Sequence, residues 1–189
     1  MLAIMTGIPG TGKTTVAKKA IEKLSPEGID YELITYGDVM ADIAITKNLV
    51  HSRDEMRKLE PKQQKEIQEL AAVKISQIAM SQNVLLDTHC AISTPQGYLP
   101  GLPEEVLRKL SPNVITLIEA RPEEIVRRRQ SDETRERDEE MEEAIALHQW
   151  LNRSFASAYS VISGATVMVI ENPQGKVDEA AEKLMSVLR

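Results

Sequence analysis

Short apolar runs alternate along this chain with longer segments in which apolar residues recur every three or four positions. The runs cover residues 2–5, 31–35, 83–87, 114–119 and 166–170, and each predicts a β-strand because buried strands are short and largely apolar. The longer segments predict amphipathic helices. These helices cover a segment beginning near Lys13, a short segment after Asp38, a long segment after Pro61, and residues 104–110, 122–130, 139–161 and 177–188.

This order of strands and helices predicts an α/β fold in which helices cover both faces of a parallel sheet. Asp38 is expected to cap the helix after the second strand. Residues 94–103 are rich in proline and glycine, so we expect an irregular loop there. The length of 189 residues predicts a single domain, residues 1–189. Ligands of such folds bind at the carboxyl ends of the strands.

Composition narrows the class of protein. The apolar fraction of 42% and the charged fraction of 28% are typical of a soluble globular protein. No apolar stretch reaches the length of a membrane span, and the first strand begins at residue 2, so we expect no leader peptide, no membrane contact and a cytoplasmic location. One cysteine excludes an internal disulfide and a cysteine-rich zinc site. The net charge of −6 and the 3% aromatic content disfavour a nucleic-acid partner.

The sequence GIPGTGKTT connects the first predicted strand to the first predicted helix. It matches the pattern G-x-x-x-x-G-K-[ST], whose glycines let backbone N–H groups surround phosphates. Lys13 is then expected to reach the β- and γ-phosphates of a nucleoside triphosphate, and the Thr14 hydroxyl to ligate Mg²⁺. A chance match in a chain of this length has a probability of roughly one in a hundred. The predicted triphosphate site comprises Gly7, Ile8, Pro9, Gly10, Thr11, Gly12, Lys13, Thr14 and Thr15.

Asp87 ends the third predicted strand and is a candidate second group for Mg²⁺. The alternative is that this carboxylate only caps the loop after the strand. His89 and Cys90 follow directly, but side chains adjacent in sequence point apart and make a poor nucleophile–base pair. We therefore expect no covalent catalysis, a buried Cys90, and a His89 that either lines a substrate pocket or is structural.

Arginine is the sole basic residue type between residues 121 and 137, where six arginines accompany five acidic residues. One interpretation is a solvated helix face with local ion pairs. The other is phosphate binding, because the planar guanidinium group suits bidentate phosphate contacts and can stabilise a phosphoryl group in transfer. The candidates are Arg127, Arg128, Arg129, Arg135 and Arg137, followed by Arg153 on the next helix.

Together these motifs resemble the archaeal-type adenylate kinases over nearly the whole chain. The resemblance rests on GIPGTGKTT, LVHSRDEMRKL, VLLDTHCAISTPQGYLPGLP, RRRQSDETRERD, LHQWLNRS and SGATVMVIENPQG. The DTH and TPQGYLPGLP pieces are more specific than the phosphate loop, which many unrelated enzymes share. The resemblance implies the nucleoside monophosphate kinase version of the P-loop NTPase fold, a three-layer α/β/α domain with a five-stranded parallel sheet and a short lid.

The resemblance also implies the reaction, reversible Mg²⁺-dependent transfer of the ATP γ-phosphoryl group to AMP giving two ADP, and a homotrimeric assembly. Residues 36–80 would form an AMP-binding flap and residues 121–142 a short lid, unlike the zinc-bearing lid of some bacterial relatives. Arg53 and Arg57, four residues apart, would share one face if their segment is helical. The implied catalytic residues are Lys13, Arg128, Arg135, Arg137 and Arg153; the AMP-binding residues are Gly37, Asp38, Arg53, Arg57 and His89; the metal ligands are Thr14 and Asp87.

Such a transfer needs aligned substrates, charge compensation and exclusion of water rather than a general base of unusual pKa. Replacing Lys13 or Arg137 with Ala is therefore expected to lower turnover far more than stability. Two other functions stay open from the residues alone. One is a kinase for cytidylate or uridylate, because glycine loops and arginines do not read the acceptor base. The other is a nucleotide-gated switch that hydrolyses ATP slowly. A secondary regulatory role also stays open.

Overall fold

The predicted apolar runs form one parallel sheet. A computed structural model describes residues 1–130 and 142–189. The strands are β1 (Leu2–Thr6), β2 (Tyr31–Thr35), β3 (Asn83–Asp87), β4 (Ala91–Thr94), β5 (Gly97–Pro100), β6 (Val114–Glu119) and β7 (Thr166–Glu171). Five of them make the sheet in the order β2-β3-β1-β6-β7, while β4 and β5 form a separate antiparallel pair. The phosphate loop, which follows β1, therefore lies at the middle of the sheet edge.

Helices connect the strands as the periodic segments predict. They are α1 (Lys13–Leu24), α2 (Tyr36–Thr46), α3 (Pro61–Ala79), α4 (Glu104–Leu110), α5 (Pro122–Gln130), α6 (Glu142–Ser163) and α7 (Val177–Leu188), with short 3₁₀ helices at Ser25–Glu27 and Arg53–Lys58. Pro61 begins α3, where its missing N–H leaves no hydrogen bond unmade. No helix in the two described ranges combines the length and apolar character needed to cross a membrane.

Both faces of the sheet are covered, which explains why the strands are continuously apolar rather than alternating. Neighbouring residues of a strand point to opposite faces. Leu85 packs in a buried cluster with Val16 of α1 and Leu184 of α7. Leu86 packs on the opposite face in a cluster with Ile75 of α3 and residues of α4 and α6. The predicted three-layer arrangement is confirmed.

The prediction of an irregular loop at residues 94–103 is wrong. Residues 91–100 form the β4–β5 hairpin, in which Ile92 pairs with Leu99. The Thr94 hydroxyl donates a hydrogen bond to the Gly97 carbonyl at 2.8 Å, and this bond closes the turn. The high proline content indicated a loop. The hairpin nevertheless forms because Pro95 lies in the turn and Pro100 at the strand end, positions where a missing N–H is tolerated.

The predicted cap of the second helix is also wrong. α2 begins at Tyr36, so Thr35 occupies the capping position and Asp38 lies in the first turn. An acidic side chain still complements the positive end of the helix dipole from that position. Asp38 is consequently free to form a side-chain ion pair, described below.

Candidate active site

The phosphate loop runs from the end of β1 into the first turn of α1. Gly12 caps α1 with a φ of 85°, a left-handed conformation that favours glycine. A Cβ atom at Gly12 would lie 2.5 Å from Asn172 Nδ2, and one at Gly7 would lie 2.4 Å from the Ile118 carbonyl oxygen. Both positions therefore need glycine for conformation and for space.

A cleft of about 680 Å³ opens beside this loop at the carboxyl ends of β1, β2 and β3. Its volume is in the range usual for small-molecule sites. Several predicted site residues contribute to its wall: Pro9, Gly10, Gly12, Lys13, Thr14, Thr15, Gly37, Asp38, Arg53, Asp87, His89 and Arg128. The side chains of Ile8 and Thr11 are buried instead, and the Thr11 hydroxyl donates to the Ile8 carbonyl at 3.0 Å. These two residues support the loop from behind.

Lys13 and Asp87 form an ion pair in the wall of the cleft. The Lys13 ammonium group lies 2.9 Å from Asp87 Oδ1, and it also donates to the Thr88 carbonyl at 3.3 Å. The Asp87 Oδ1 atom is buried and, among the described residues, lacks a partner with hydrogen-bond geometry, so its contact with Lys13 is one of charge alone. A carboxylate oxygen of this kind, in the same cleft as the Thr14 hydroxyl, fits Mg²⁺, which prefers oxygen ligands and is held by one or two carboxylates plus phosphates.

Two polar side chains near the carboxyl end of β7, Arg128 and Asn172, bind the phosphate loop, and Gln174 binds Arg128. We call these three residues the β7 flank. The Asn172 amide donates to the Thr11 carbonyl at 2.8 Å. Arg128 Nη1 donates to the same carbonyl at 3.2 Å, and Nη2 donates to the Asn172 carbonyl at 2.8 Å. Arg128 Nε donates to Gln174 Oε1 at 3.0 Å. The predicted catalytic Arg128 thus makes structural contacts to the loop.

Sequence reasoning missed Asn172 and Gln174, although a polar pair directly after the last strand was the available signal. Arg129, predicted as one of the phosphate-binding arginines, donates from Nε and Nη2 to the Pro9 carbonyl at 3.0 and 2.9 Å. Side chains from outside the loop therefore bind the carbonyl groups of Pro9 and Thr11.

Arg153 lies outside the cleft wall and pairs with a carboxylate that the sequence did not single out. Its Nε donates to Glu119 Oε1 at 2.8 Å, and Glu119, at the carboxyl end of β6, is only 5% exposed. Hydrogen bonding to this carboxylate raises the pKa of Arg153. Arg135 and Arg137 lie outside the described residues.

The opposite side of the cleft is built by β2, α2 and α3; we call residues 35–38, Met40, Arg53 and Gln68 the β2 flank. Arg53 forms an exposed ion pair with Asp38. Arg57 is also exposed but is not part of the described cleft wall. The reason is the helix type. Arg53–Lys58 is a 3₁₀ helix with about 3.0 residues per turn, so residues four apart do not share a face.

His89 borders the cleft beside the Lys13 ammonium group. Removal of the imidazole from bulk water, and then the Lys13 charge, lower the pKa of His89 to about 4, although the residue keeps an exposed surface toward the cleft. A neutral imidazole is the result near pH 7. Cys90, the next residue, is fully buried, as predicted, and burial raises the pKa of its thiol to about 12.

A parallel sheet, a phosphate loop after its central strand and an acidic strand end that pairs with the loop lysine are typical of the phosphate-loop NTPase fold, which includes kinases. A family model described as an AAA domain matches residues 6–146. A shikimate kinase structure from Acinetobacter baumannii, in complex with shikimate, matches with a TM-score of 0.61 at 15% identity, over 99% of this chain and 92% of that one. That likeness shows the fold alone.

The sequence relatives identify the particular branch. An adenylate kinase from Methanocaldococcus jannaschii is 48% identical over 188 residues, which is 100% of this chain and 98% of that protein. An adenylate kinase from Methanothermobacter thermautotrophicus is 46% identical over 187 residues, 99% of this chain and 98% of that protein. The chain belongs to the adenylate kinase family, so the family resemblance of its motifs is confirmed.

Proposed function

We propose that this chain catalyses the reversible transfer of the γ-phosphoryl group of ATP to AMP, giving two ADP. The observation that carries this proposal is a single cleft with two different walls. One wall is the phosphate loop with Lys13, and the other is the β2 flank, which includes Arg53. A nucleotide-gated switch needs only the first wall, whereas a transfer between two nucleotides needs both.

The donor nucleotide belongs at the phosphate loop. Backbone N–H groups of residues 7–15 and the positive end of α1 would bind the ATP phosphates, and Lys13 would bind the β- and γ-phosphates. Thr14 and Asp87 would hold Mg²⁺, which on binding offsets charge on the phosphate oxygens. Since Lys13 contacts Asp87 in the described structure, phosphate binding exchanges one anionic partner of the ammonium group for another.

The acceptor belongs at the β2 flank. Gly37, Asp38 and Arg53 line this side, and the neutral His89 lies between it and the loop. Arg57, which the resemblance also assigns to the AMP phosphate, reaches it only if the segment 36–80 rearranges when AMP binds. Arg53 must likewise leave Asp38 to contact a phosphate.

Catalysis then depends on alignment and charge. The acceptor oxygen of AMP must lie in line with the γ-phosphoryl group, and water must be excluded because it competes with AMP. We assign charge compensation to Lys13, Arg128, Arg135, Arg137 and Arg153, as the resemblance implies. Arg128 lines the cleft and would do this while still bonded to the loop, and Arg153 would do it after releasing Glu119. The short lid at residues 121–142 rests on the resemblance, since residues 131–141 lie outside the described ranges.

A coupled assay tests the proposal: ATP is combined with AMP, CMP, UMP or GMP, each with and without Mg²⁺. We expect two ADP formed for each AMP consumed, dependence on Mg²⁺, and much slower turnover with the other monophosphates. ATP hydrolysis that is unaffected by AMP would contradict the proposal and favour the switch. Preference for CMP or UMP would favour the other kinase class.

We further propose that the chain assembles as a homotrimer, as the resemblance implies, through an apolar face of α6 and the edge strand β7. Trp150 is 61% exposed and Val161 is 87% exposed, and a spacing of eleven residues places them on one helix face. Val167 and Val169 are partly exposed on β7. Apolar surface of this kind marks protein contacts. Sedimentation should give a trimer that Val161→Lys dissociates; a monomeric native chain would refute the assembly.

The cytoplasmic location stays a prediction that cell fractionation can test.

A further inference from the structure

The glycine loop and the arginines bind phosphate and carry no information about the acceptor base, so base selectivity needs another group. The β2 flank contains one. Gln68, in the middle of α3, lines the cleft together with Met40 and Ile92. Its backbone carbonyl is bound by the Tyr36 hydroxyl, so the carboxamide is the polar group of Gln68 that is left for a ligand.

Tyr36, the first residue of α2, holds the backbone of Gln68 in position. The Tyr36 hydroxyl donates to the Gln68 carbonyl at 2.7 Å, and Tyr36 is only 4% exposed. Burial raises the pKa of this phenol, so it stays a neutral donor. Within residues 1–130 and 142–189, no hydrogen bond involves the Gln68 carboxamide, and no other Asn or Gln lines the cleft.

The apolar residues that line the cleft together with Gln68 suit a flat aromatic ring. Met40 is half-buried on α2, and Ile92 is 40% exposed on the β4–β5 hairpin. Both are apolar, whereas the cleft wall near the phosphate loop contains Lys13, Asp87 and Arg128. Sheet geometry separates the apolar end of the cleft from the end near the phosphate loop. Thr35, the residue before Tyr36, pairs in register with Asp87, so the Tyr36–Gln68 contact lies beyond Asp87, away from the β7 flank.

We propose that Gln68 is the residue that selects adenine as the base of the acceptor. Its Oε1 accepts a hydrogen bond from the adenine N6 amino group, and its Nε2 donates to a ring nitrogen, the two-point pairing that carboxamides make with adenine. Met40 and Ile92 contact the faces of the ring. This inference rests on the proposed function, because it places the acceptor at the β2 flank.

The chemistry of the pairing gives a substitution with a directional outcome. A carboxylate accepts hydrogen bonds but donates none, so it pairs with an edge that offers two donors. Guanine offers its N1–H and N2 amino group, whereas adenine pairs a donor with an acceptor. Gln68→Glu should therefore shift the preference toward GMP, and Gln68→Leu should lower selectivity without favouring either purine.

The test compares kcat/KM for AMP, GMP, CMP and UMP in the native chain, Gln68→Leu, Gln68→Glu and Gln77→Glu. Gln77 lies on the same helix, is exposed and is not part of the described cleft wall, so Gln77→Glu controls for charge and helix propensity. We expect Gln68→Leu to lower kcat/KM for AMP by about 10-fold to 100-fold, mainly through KM for AMP, with KM for ATP unchanged. Gln68→Glu should raise the ratio of kcat/KM for GMP to kcat/KM for AMP. Gln77→Glu should change neither this ratio nor kcat/KM for AMP.

Thermal unfolding and calorimetric AMP binding to each variant keep folding and affinity separate from turnover. Selectivity ratios that stay within about twofold in both folded Gln68 variants would overturn the proposal and leave the adenylate kinase activity intact. A native chain that makes no ADP from AMP would instead overturn the proposed function, and this inference with it.

Discussion

The two flanks of the cleft differ in how firmly they are held. On the β7 flank, Asn172 is 5% exposed and both it and Arg128 donate to carbonyls of the phosphate loop. On the β2 flank, the Arg53–Asp38 pair has side chains that are 62% and 55% exposed. Hydrogen bonds to buried backbone groups are costly to break, whereas exposed ion pairs contribute little.

This difference suits the proposed function, in which the cleft would hold two substrates. A preorganised loop stabilises charge without reorganising during the reaction, which is what the transferring phosphoryl group requires. In the proposed function the acceptor side would open for AMP and then close to exclude water, and weak, exposed contacts suit such a movement. Substitutions on the two flanks should therefore affect different substrates and different properties.

The largest effect is expected at the loop lysine. Lys13→Met should lower kcat by about 10² to 10³, the loss typical of removing one preorganised donor from a charge-stabilising site. The loss of stability should be much smaller than the loss of turnover, although Asp87, only 16% exposed, loses its ion-pair partner. Steady-state kinetics and thermal unfolding measure the two quantities. Lys18→Met, on an exposed position of the same helix, should retain native kinetics; a Lys13 variant with native turnover would refute the assignment.

The next effect is expected on the β7 flank. Asn172→Ala removes the hydrogen bond to the Thr11 carbonyl and should raise KM for ATP about 10-fold, with KM for AMP unchanged. The matched control is Asn113→Ala, which removes a hydrogen bond of 2.9 Å to the Leu2 N–H at the opposite end of β1. That variant should lose stability without a selective change in KM for ATP. Equal kinetic losses in the two variants would show that Asn172 acts only through stability.

A selective effect on the other substrate is expected on the β2 flank. Arg53→Ala should raise KM for AMP about 10-fold, since a charge-assisted hydrogen bond to the phosphate is lost. The free energy of unfolding should change by less than about 1 kcal/mol because the pair with Asp38 is exposed. Arg57→Ala should have the smaller effect on KM, given its position outside the described cleft wall. A larger change in KM for ATP than for AMP in Arg53→Ala would contradict the division of the cleft.

The smallest effect is expected in the pH dependence of stability. The folded-state pKa of His89 is lowered to about 4, below the ordinary value of 6.5. Between these values the unfolded chain binds a proton at this site and the folded chain does not, so the contribution of His89 to stability falls as the pH falls. The free energy of unfolding, measured with denaturant at several pH values from 4 to 7, should depend less steeply on pH in His89→Asn than in the native chain. Identical slopes would show that the imidazole is not desolvated.

Local features of the site were predictable from sequence, and long-range ones were not. The phosphate loop and Asp87 follow strands directly, so their placement needs only the order of strands. Asn172 contacts Thr11 across 161 residues. Its position after the last strand could have made it a candidate, but its partner in the loop was not predictable. Gln68 resembles any solvated polar residue of a helix. The exposure of Arg57 depends on a 3₁₀ helix, which residue spacing does not distinguish from an α-helix.

The claim on which the rest depends is that one cleft holds two nucleotides in different places. A bisubstrate analogue with two adenosines joined through five phosphates tests it by titration calorimetry. We predict one analogue bound per chain, weakened by excess ATP and also by excess AMP, with Gln68→Leu lowering the affinity and Gln77→Glu leaving it unchanged. Two analogues bound per chain, or competition by ATP and none by AMP, would contradict the account.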